Sequence, residues 1–449
     1  MARYAYFWGC YVPSRLPHVE KATRAVMHRL GIDCADVPDL TCCPEKTMVG
    51  NMSHDTWLIT AARNLSVAEQ AHVDFVTPCP GCFGTLRGAA CELKSSGAAH
   101  REVNRRLAAV GRRYRGTARV RHIMQVLYEQ VGITGIQQRL ERPLTGMRIA
   151  VHYGCHLLRP SEDLAFDDPA SPTKFDELVE ALGATSIPYE AKLSCCGGLL
   201  SRVDDEQTGR AMAWLKLRDV AAEGADAICV ACPACMMQYE ATQLLLERKG
   251  EELHVPVLYY TELLGLAVGL TRDELGLSSH RVSVEPFLDK WEAQQAAVEA
   301  VREHFEYDLL TTCAECGACN SDCPVRGADL CWDPNAIIRK LAEGRLEQVL
   351  EEGEFWRCLE CYGCRELCFQ RYSMIDIFRT AKRLAVAQGR MPSGTAKGMA
   401  AFGKSARLAD ASVAQRKRLG LPEPSQSGSE ELAELLAPTA AHAGSSQRE

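Results

Sequence analysis

The sequence predicts an α/β protein in three parts: two copies of a parallel-sheet domain, then a mainly helical domain built around cysteine runs. Two observations carry this. A set of cysteine motifs within the first 100 residues returns about 150 residues later, and each copy alternates short apolar runs with helical patterns. Beyond residue 286 the pattern is helical throughout, broken only by two four-cysteine runs.

The length of 449 residues, at roughly 150 per domain, agrees with three domains. With 47% apolar and 24% charged residues the chain is neither disordered, collagenous nor of low complexity as a whole. Its net charge of −7 provides no basic footprint for phosphates, which excludes nucleic acid as a main partner. The N-terminus lacks the basic, apolar and small-residue regions of a secretory signal, so a cytoplasmic protein is expected. The longest apolar stretch, Val255 to Leu270, is interrupted by Glu262 and is shorter than the roughly 20 residues a membrane span needs. It reads as a strand plus a buried helix, with no integral membrane segment. In a reducing compartment, 22 cysteines point to metal ligation or redox chemistry rather than to disulfides.

The repeat is explicit. Gly9-Cys10, Cys42-Cys43 and Cys79-Pro-Gly-Cys82 return as Gly154-Cys155, Cys195-Cys196 and Cys232-Pro-Ala-Cys235, offset by 145 residues at the first cysteine and 153 at the others. In each copy an apolar run ends in Gly-Cys, as at Arg148–Tyr153, and a helical pattern follows until Gly31 or Gly183 stops it. Asp74–Thr77 and Ala227–Val230 read as short buried strands running into the C-P-x-C turns. Such βαβ units gather their ligands beyond the carboxyl ends of the strands, where these turns would meet. Expected boundaries are 1–145 for the first copy, 146–275 for the second, 276–285 for a polar linker, 286–395 for the helical domain and 396–449 for a tail whose end reads as mobile.

The C-terminal runs are Cys313-x2-Cys316-x2-Cys319-x3-Cys323-Pro and Cys358-x2-Cys361-x2-Cys364-x3-Cys368. This is the spacing of bacterial two-cluster ferredoxins, in which the fourth cysteine of each run ligates the other cluster. It assigns Cys313, Cys316, Cys319 and Cys368 to one 4Fe-4S cubane, and Cys323, Cys358, Cys361 and Cys364 to a second. Paired zinc ribbons also use C-x2-C elements, but two four-cysteine runs in one register argue against them. Phe369 stands where a second proline is usual. In the N-terminal copies, five cysteines exceed what one tetrahedral zinc uses, and vicinal cysteines are awkward on one ordinary cube. The pattern suggests an unusual cluster served by adjacent residues.

The duplicated signature, with Ser194-Cys-Cys-Gly-Gly198 and Tyr259-Tyr-Thr-Glu-Leu-Leu-Gly265, resembles the cysteine-rich CCG domains of the heterodisulfide reductase B subunit over residues 1 to 275. Residues 286 to 422 are similar to the C subunit of that enzyme, on Phe355-Trp-Arg-Cys-Leu-Glu-Cys-Tyr-Gly-Cys364 and Arg418-Leu-Gly-Leu-Pro422. The chain thus resembles a fusion in B-then-C order. The resemblance implies two Rossmann-like CCG domains with cluster sites at the strand ends, followed by a two-cluster ferredoxin-like domain. It further implies one noncubane 4Fe-4S cluster on Cys10, Cys42, Cys43, Cys79 and Cys82 and another on Cys155, Cys195, Cys196, Cys232 and Cys235, which together cleave a disulfide into two thiols. Neither set lacks a cysteine, whereas relatives serving lactate, glycolate or quinone chemistry often have depleted motifs.

The implied function is an iron–sulfur disulfide reductase subunit that passes electrons from the cubanes to the noncubane clusters. The chain has no G-x-G-x-x-G fingerprint and so neither a nicotinamide nor a flavin of its own is expected. The implied partners are a flavoprotein like the heterodisulfide reductase A subunit, a hydrogenase or formate dehydrogenase behind it, and small-molecule disulfides and thiols. Alternatives are a non-catalytic electron-transfer subunit linking a dehydrogenase to a quinone or flavoprotein, a thiol-driven reductase of the thiol:fumarate type, and a structural zinc protein. Cys34, Cys91, Cys229 and Cys331 fall outside both patterns and read as small buried hydrophobes. His54, His152 and His156 are candidate proton donors, though packing roles are the commoner use, and Lys46, Arg159 and Lys192 are candidate anion contacts, though solvated charge is the commoner one.

Overall fold

A computed structural model describes residues 4–250, 253–369, 371–408, 412–423 and 428–436. It divides into two units, residues 1–295 and 296–449, and the division falls within the helix Glu285–Arg302.

The first unit contains two four-stranded parallel sheets. One comprises β1 (Tyr4–Tyr6), β2 (Cys34–Ala35), β3 (Asp74–Thr77) and β4 (Val120–His122); the other comprises β5 (Arg148–His152), β6 (Thr185–Ile187), β7 (Ala227–Val230) and β8 (Val257–Tyr259). Their orders are β2-β1-β3-β4 and β6-β5-β7-β8, so the sequence repeat is a repeat of topology. Ala5 lies opposite Phe75 in the first sheet and Ala150 opposite Ile228 in the second. All four residues of β7 are buried, as expected of a strand covered on both faces. In each sheet the chain leaves the two central strands toward opposite sides, which opens a crevice at their carboxyl ends. Gly9-Cys10 follows β1 and Cys79 follows β3; Gly154-Cys155 follows β5 and Cys232 follows β7.

The stretch expected as a linker, 276–285, is structured and packed within the first unit. Leu277, Val282 and Val284 are buried, and His280 enters a layer of ionisable groups shared by the two copies. His280 Nε2 lies 3.0 Å from Glu262 Oε1 and its Nδ1 3.3 Å from Glu240 Oε1, while Glu262 Oε2 accepts the Tyr259 amide at 2.7 Å. His18, on the first copy's helix Pro17–Arg29, completes the layer with its ring 4.7 Å from that of His280. The polar composition misleads here because three irregularly spaced apolar residues anchor a segment that has no helical or strand period.

The second unit is helical, with Tyr307–Cys316, Pro334–Ala342, Leu346–Glu352 and Met374–Ala387 packed around Leu310, Ile338, Leu341, Phe355 and Phe378. In the Glu343–Glu354 stretch, read from sequence as a wet face, Glu347 and Glu351 pair with Arg390 while Val349 and Leu350 are buried. The Arg418–Pro422 motif follows the helix Val413–Arg418; residues 437–449, including the end expected to be mobile, lie outside the described residues. No helix among the described residues is long and apolar enough to cross a membrane.

Burial works against a charged His280, but the Glu262 carboxylate and the contacts to Glu240 and Glu262 prevail and hold its imidazolium up to about 10. Because this lies above the ordinary histidine value, the stabilisation is complete below pH ~6.5 and is lost as pH rises through the folded value. His280→Gln should therefore cost about 3 kcal/mol below pH 6.5. Thermal unfolding of wild type and variant as a function of pH should show the gap closing toward alkaline pH.

Candidate metal centres

The C-P-x-C motif has a local explanation. Cys79 and Cys232 are the N-caps of the helices Pro80–Ser95 and Pro233–Glu247, the prolines take the first helical position, and Cys82 and Cys235 follow within the first turn. Both thiols of each motif thus sit at a helix N-terminus, where the backbone dipoles favour thiolate. Cys10 is the N-cap of Tyr11–Arg15, and Cys155 is the first residue of Cys155–Leu158. The vicinal pairs come from loops beyond the sheets. Gly9 needs its φ of +68° to leave β1, and a Cβ there would lie 2.5 Å from Cys82 Sγ. Gly197, at φ +76°, lets the second loop touch the helix Glu206–Ala222, where its Cβ would lie 2.6 Å from the Gly209 carbonyl oxygen.

All ten of these cysteines line one cavity of about 460 Å³ in the first unit. Trp8, Met48, Val49, Leu199 and Pro233 form its apolar walls, and His156 also faces it. The thiols are close enough to share protons. Hydrogen bonds from Cys42 and Cys82 hold Cys43 down to about 4, while Cys42 and Cys82 are pushed up by that same neighbour and by burial. In the second copy, hydrogen bonds from Cys155 and Cys196 draw Cys195 down to about 2; those same hydrogen bonds and burial push Cys155 up and Cys196 up to about 12. Each lowered thiol raises its neighbours, so full ionisation needs a compensating cation.

The second unit has two cysteine-lined cavities. Cys313, Cys316, Cys319 and Cys368 line one of about 360 Å³, together with Leu309, Tyr372 and Met374. Cys323, Cys358, Cys361 and Cys364 line the other, which Cys319 also reaches. Phe369, at the missing proline position, is fully exposed and lines the first of these.

The remaining sequence candidates are mostly engaged elsewhere. His54 pairs with Glu92 at 2.8 Å, Lys192 with Asp176 at 2.6 Å, and Arg159 donates to the Pro169 carbonyl at 2.6 Å. Lys46 lies 4.9 Å from the centre of the Trp57 ring. Cys229 is a buried strand residue, and Cys34 and Cys91 are half-buried. Cys331, expected to be buried, is exposed, because its loop turns at Asp329 and sends Trp332 into the core instead. His152 lies behind the cavity wall with Nε2 3.3 Å from Cys235 Sγ. Sequence reading missed Lys216, whose buried ammonium lies 2.9 Å from His152 Nδ1, 2.7 Å from the Ser194 carbonyl and 3.1 Å from that of Lys192. Burial draws this amine down to about 8, which leaves it charged at neutral pH. A lysine at a buried phase of its helix is the available signal, and it shows only once the helix is placed.

A family model described as "Cysteine-rich domain" matches residues 4–87 and 149–240, one match for each copy. The chain is 40% identical over 294 residues to the B subunit of the ferredoxin:CoB-CoM heterodisulfide reductase of Methanosarcina mazei, an alignment covering 65% of this chain and 97% of that one. The chain belongs to the heterodisulfide reductase B family. It is also 31% identical over 129 residues to the iron-sulfur C subunit of the CoB–CoM heterodisulfide reductase of Methanopyrus kandleri, covering 28% of this chain and 67% of that one. The heterodisulfide reductase B-like and C-like parts are therefore joined in one chain. A further family relative is the 8-methylmenaquinol:fumarate reductase membrane anchor subunit of Wolinella succinogenes, 32% identical over 61% of this chain and 95% of that one.

The residues present fit iron–sulfur groups. Thiolates are the donors such clusters take, and every cysteine among the ten is a free thiol. Lys216 adds an independent sign: a fully buried cation whose three hydrogen-bond partners are uncharged fits an anionic group next to it. Gly9→Ala should displace Cys82 and lower the metal content of the anaerobically purified chain. Gly31→Ala, at a similar φ of +70° but with open space around it, should leave metal content unchanged and cost only about 1 kcal/mol of stability.

Proposed function

We propose that this chain is the disulfide-reducing subunit of a heterodisulfide reductase-type complex, with the B-like part carrying the reaction and the C-like part supplying electrons. The observation that carries this reading is the convergence of both complete five-cysteine sets on one cavity. Cys10, Cys42, Cys43, Cys79 and Cys82 would hold one noncubane 4Fe-4S cluster, and Cys155, Cys195, Cys196, Cys232 and Cys235 the other. Cys313, Cys316, Cys319 and Cys368 would hold one cubane, and Cys323, Cys358, Cys361 and Cys364 its neighbour. When bound, such clusters supply one-electron transfer and iron with an affinity for sulfur.

The chain's own residues shape the rest. Disulfide reduction takes two electrons and two protons and yields two thiols, so a site holding two one-electron groups against one cavity matches its stoichiometry. The apolar walls formed by Trp8, Met48, Val49 and Leu199 hold the S–S bond away from bulk water. With the C-x-x-C thiols committed as ligands, no cysteine is left there to form a mixed disulfide, which separates this site from thioredoxin-like oxidoreductases. The electron donor is a separate polypeptide, for which an A-type flavoprotein coupled to a hydrogenase or formate dehydrogenase is the family-based expectation.

One observation favours a second reading. The family also includes a protein named for a menaquinol:fumarate reductase, in keeping with an electron-transfer role toward a quinone or flavoprotein. Two measurements separate the readings. Anaerobic iron and acid-labile sulfide counts should give about 16 irons per chain if all four sites are loaded, and about 8 if only the C-like part is. Loaded protein should then reduce a disulfide with a low-potential donor, and Cys82→Ser and Cys235→Ser should each lower turnover at least ~100-fold, in line with loss of a group that acts only in the reacting complex. A fully loaded chain that reduces no disulfide is an electron carrier.

A further inference from the structure

The two copies share a topology but not the support behind their cysteines. In the first copy the loop of the vicinal pair is tethered by a neutral amide: Asn64 Nδ2 donates to the Cys42 carbonyl at 3.0 Å, and its Oδ1 accepts the Thr41 amide at 3.0 Å. In the second copy the loop is tethered instead by Lys216, whose Nζ takes the carbonyls of Ser194 and Lys192. Phe7, buried against Phe75, precedes Gly9-Cys10 where His152 precedes Gly154-Cys155. One scaffold therefore offers an amide, contacted on its far side by the half-buried Arg63, and an arene behind the first site, and a fully buried ammonium and an imidazole behind the second.

The hydrogen-bond geometry sets the direction of the second arrangement. Lys216 has three acceptors, His152 Nδ1 at 2.9 Å, Ser194 O at 2.7 Å and Lys192 O at 3.1 Å, which matches the three donors of an ammonium group. Since Nδ1 accepts, the ring proton is on Nε2, which faces Cys235 Sγ at 3.3 Å. A buried positive charge is thus relayed through an imidazole as an N–H donor to a ligand sulfur. Positive charge and hydrogen bonds to sulfur both stabilise the reduced, more negative state of an iron–sulfur centre. Low local dielectric magnifies the effect, because Lys216 and His152 are 0% and 1% exposed.

We propose that Lys216 and His152 are positioning residues that make the second copy's centre, on Cys155, Cys195, Cys196, Cys232 and Cys235, the easier of the two to reduce. This rests on the reading that both copies hold a cluster. It gives the cavity a polarity: the thiol set nearest Lys216 is the electron-rich side, and the two sulfurs of a bound disulfide meet unlike partners.

The test uses the full chain, purified anaerobically, in wild type and in Lys216→Gln, Lys216→Arg and His152→Phe. Lys216→Gln retains an amide able to donate to the loop carbonyls, as Asn64 does, and His152→Phe copies the first site. Iron and sulfide are counted for each protein, and each is titrated with dithionite while the noncubane signals are followed by electron paramagnetic resonance and Mössbauer spectroscopy. At unchanged iron content, Lys216→Gln, which removes the charge, and His152→Phe, which removes the N–H donor, are both expected to move the higher-potential noncubane transition downward, with at least a tenfold fall in its reduced-to-oxidised ratio at fixed potential, about 59 mV for one electron. The other transition stays in place, and Lys216→Arg restores the wild-type value. The inference is overturned if neither transition moves, if the lower-potential one moves, or if both variants lose the iron of the second copy, which would make the pair a structural support. Wild-type protein with iron only in the C-like part would instead overturn the reading beneath it.

Discussion

Mutual repulsion among crowded thiolates is the constraint on which the rest of the structure depends. Five sulfurs at the end of one short sheet cannot all ionise beside one another, and burial makes this worse. The architecture meets the problem with helix N-termini under the C-P-x-C thiols, apolar walls around the cavity, and a donor set that suits iron–sulfur groups. The parallel sheet with its reversal of connection between the central strands suits this purpose. It brings two turns of distant sequence to one crevice without any side chain having to reach far.

Most of this was legible because the cysteines are tied to secondary structure by short-range rules. Asp74–Thr77 and Ala227–Val230 could be read as strands since an apolar run of four can enter a Cys-Pro turn in few other ways, and the structure has both with those limits. The repeat offset marks the duplication in the sequence itself. What remained illegible depends on contacts between distant residues. Lys216 is 64 residues from His152 and 22 from Ser194, and nothing in its local pattern marks it as buried. The 276–285 segment has no period because turns and a buried imidazole hold it; of the cations read as solvated, Lys46 and Arg159 are exposed, and Lys192 is half-buried on Asp176.

Duplication followed by divergence of the support explains why the two halves look alike in sequence yet differ electrostatically. The cysteine motifs repeat in both copies at fixed turns. The residues one layer behind are free to differ as long as they tether the same loop. Asn64 and Lys216 each tether the loop of a vicinal pair, the first as an amide and the second as an ammonium that also reaches His152.

The layer of His18, Glu240, Glu262 and His280 has a consequence for how the two copies fit together. Its members come from helices that also lead to the cysteine turns: His18 from the helix after Cys10, and Glu240 from the helix that begins at Cys232. The His280 pairs with Glu240 and Glu262 hold the second copy's side of this layer, and the His18 ring packs against them from the first. With His18 as the first copy's contribution and its ring packed on His280, the layer works as a keyed joint between the two copies, one that loses its fit if either helix slides.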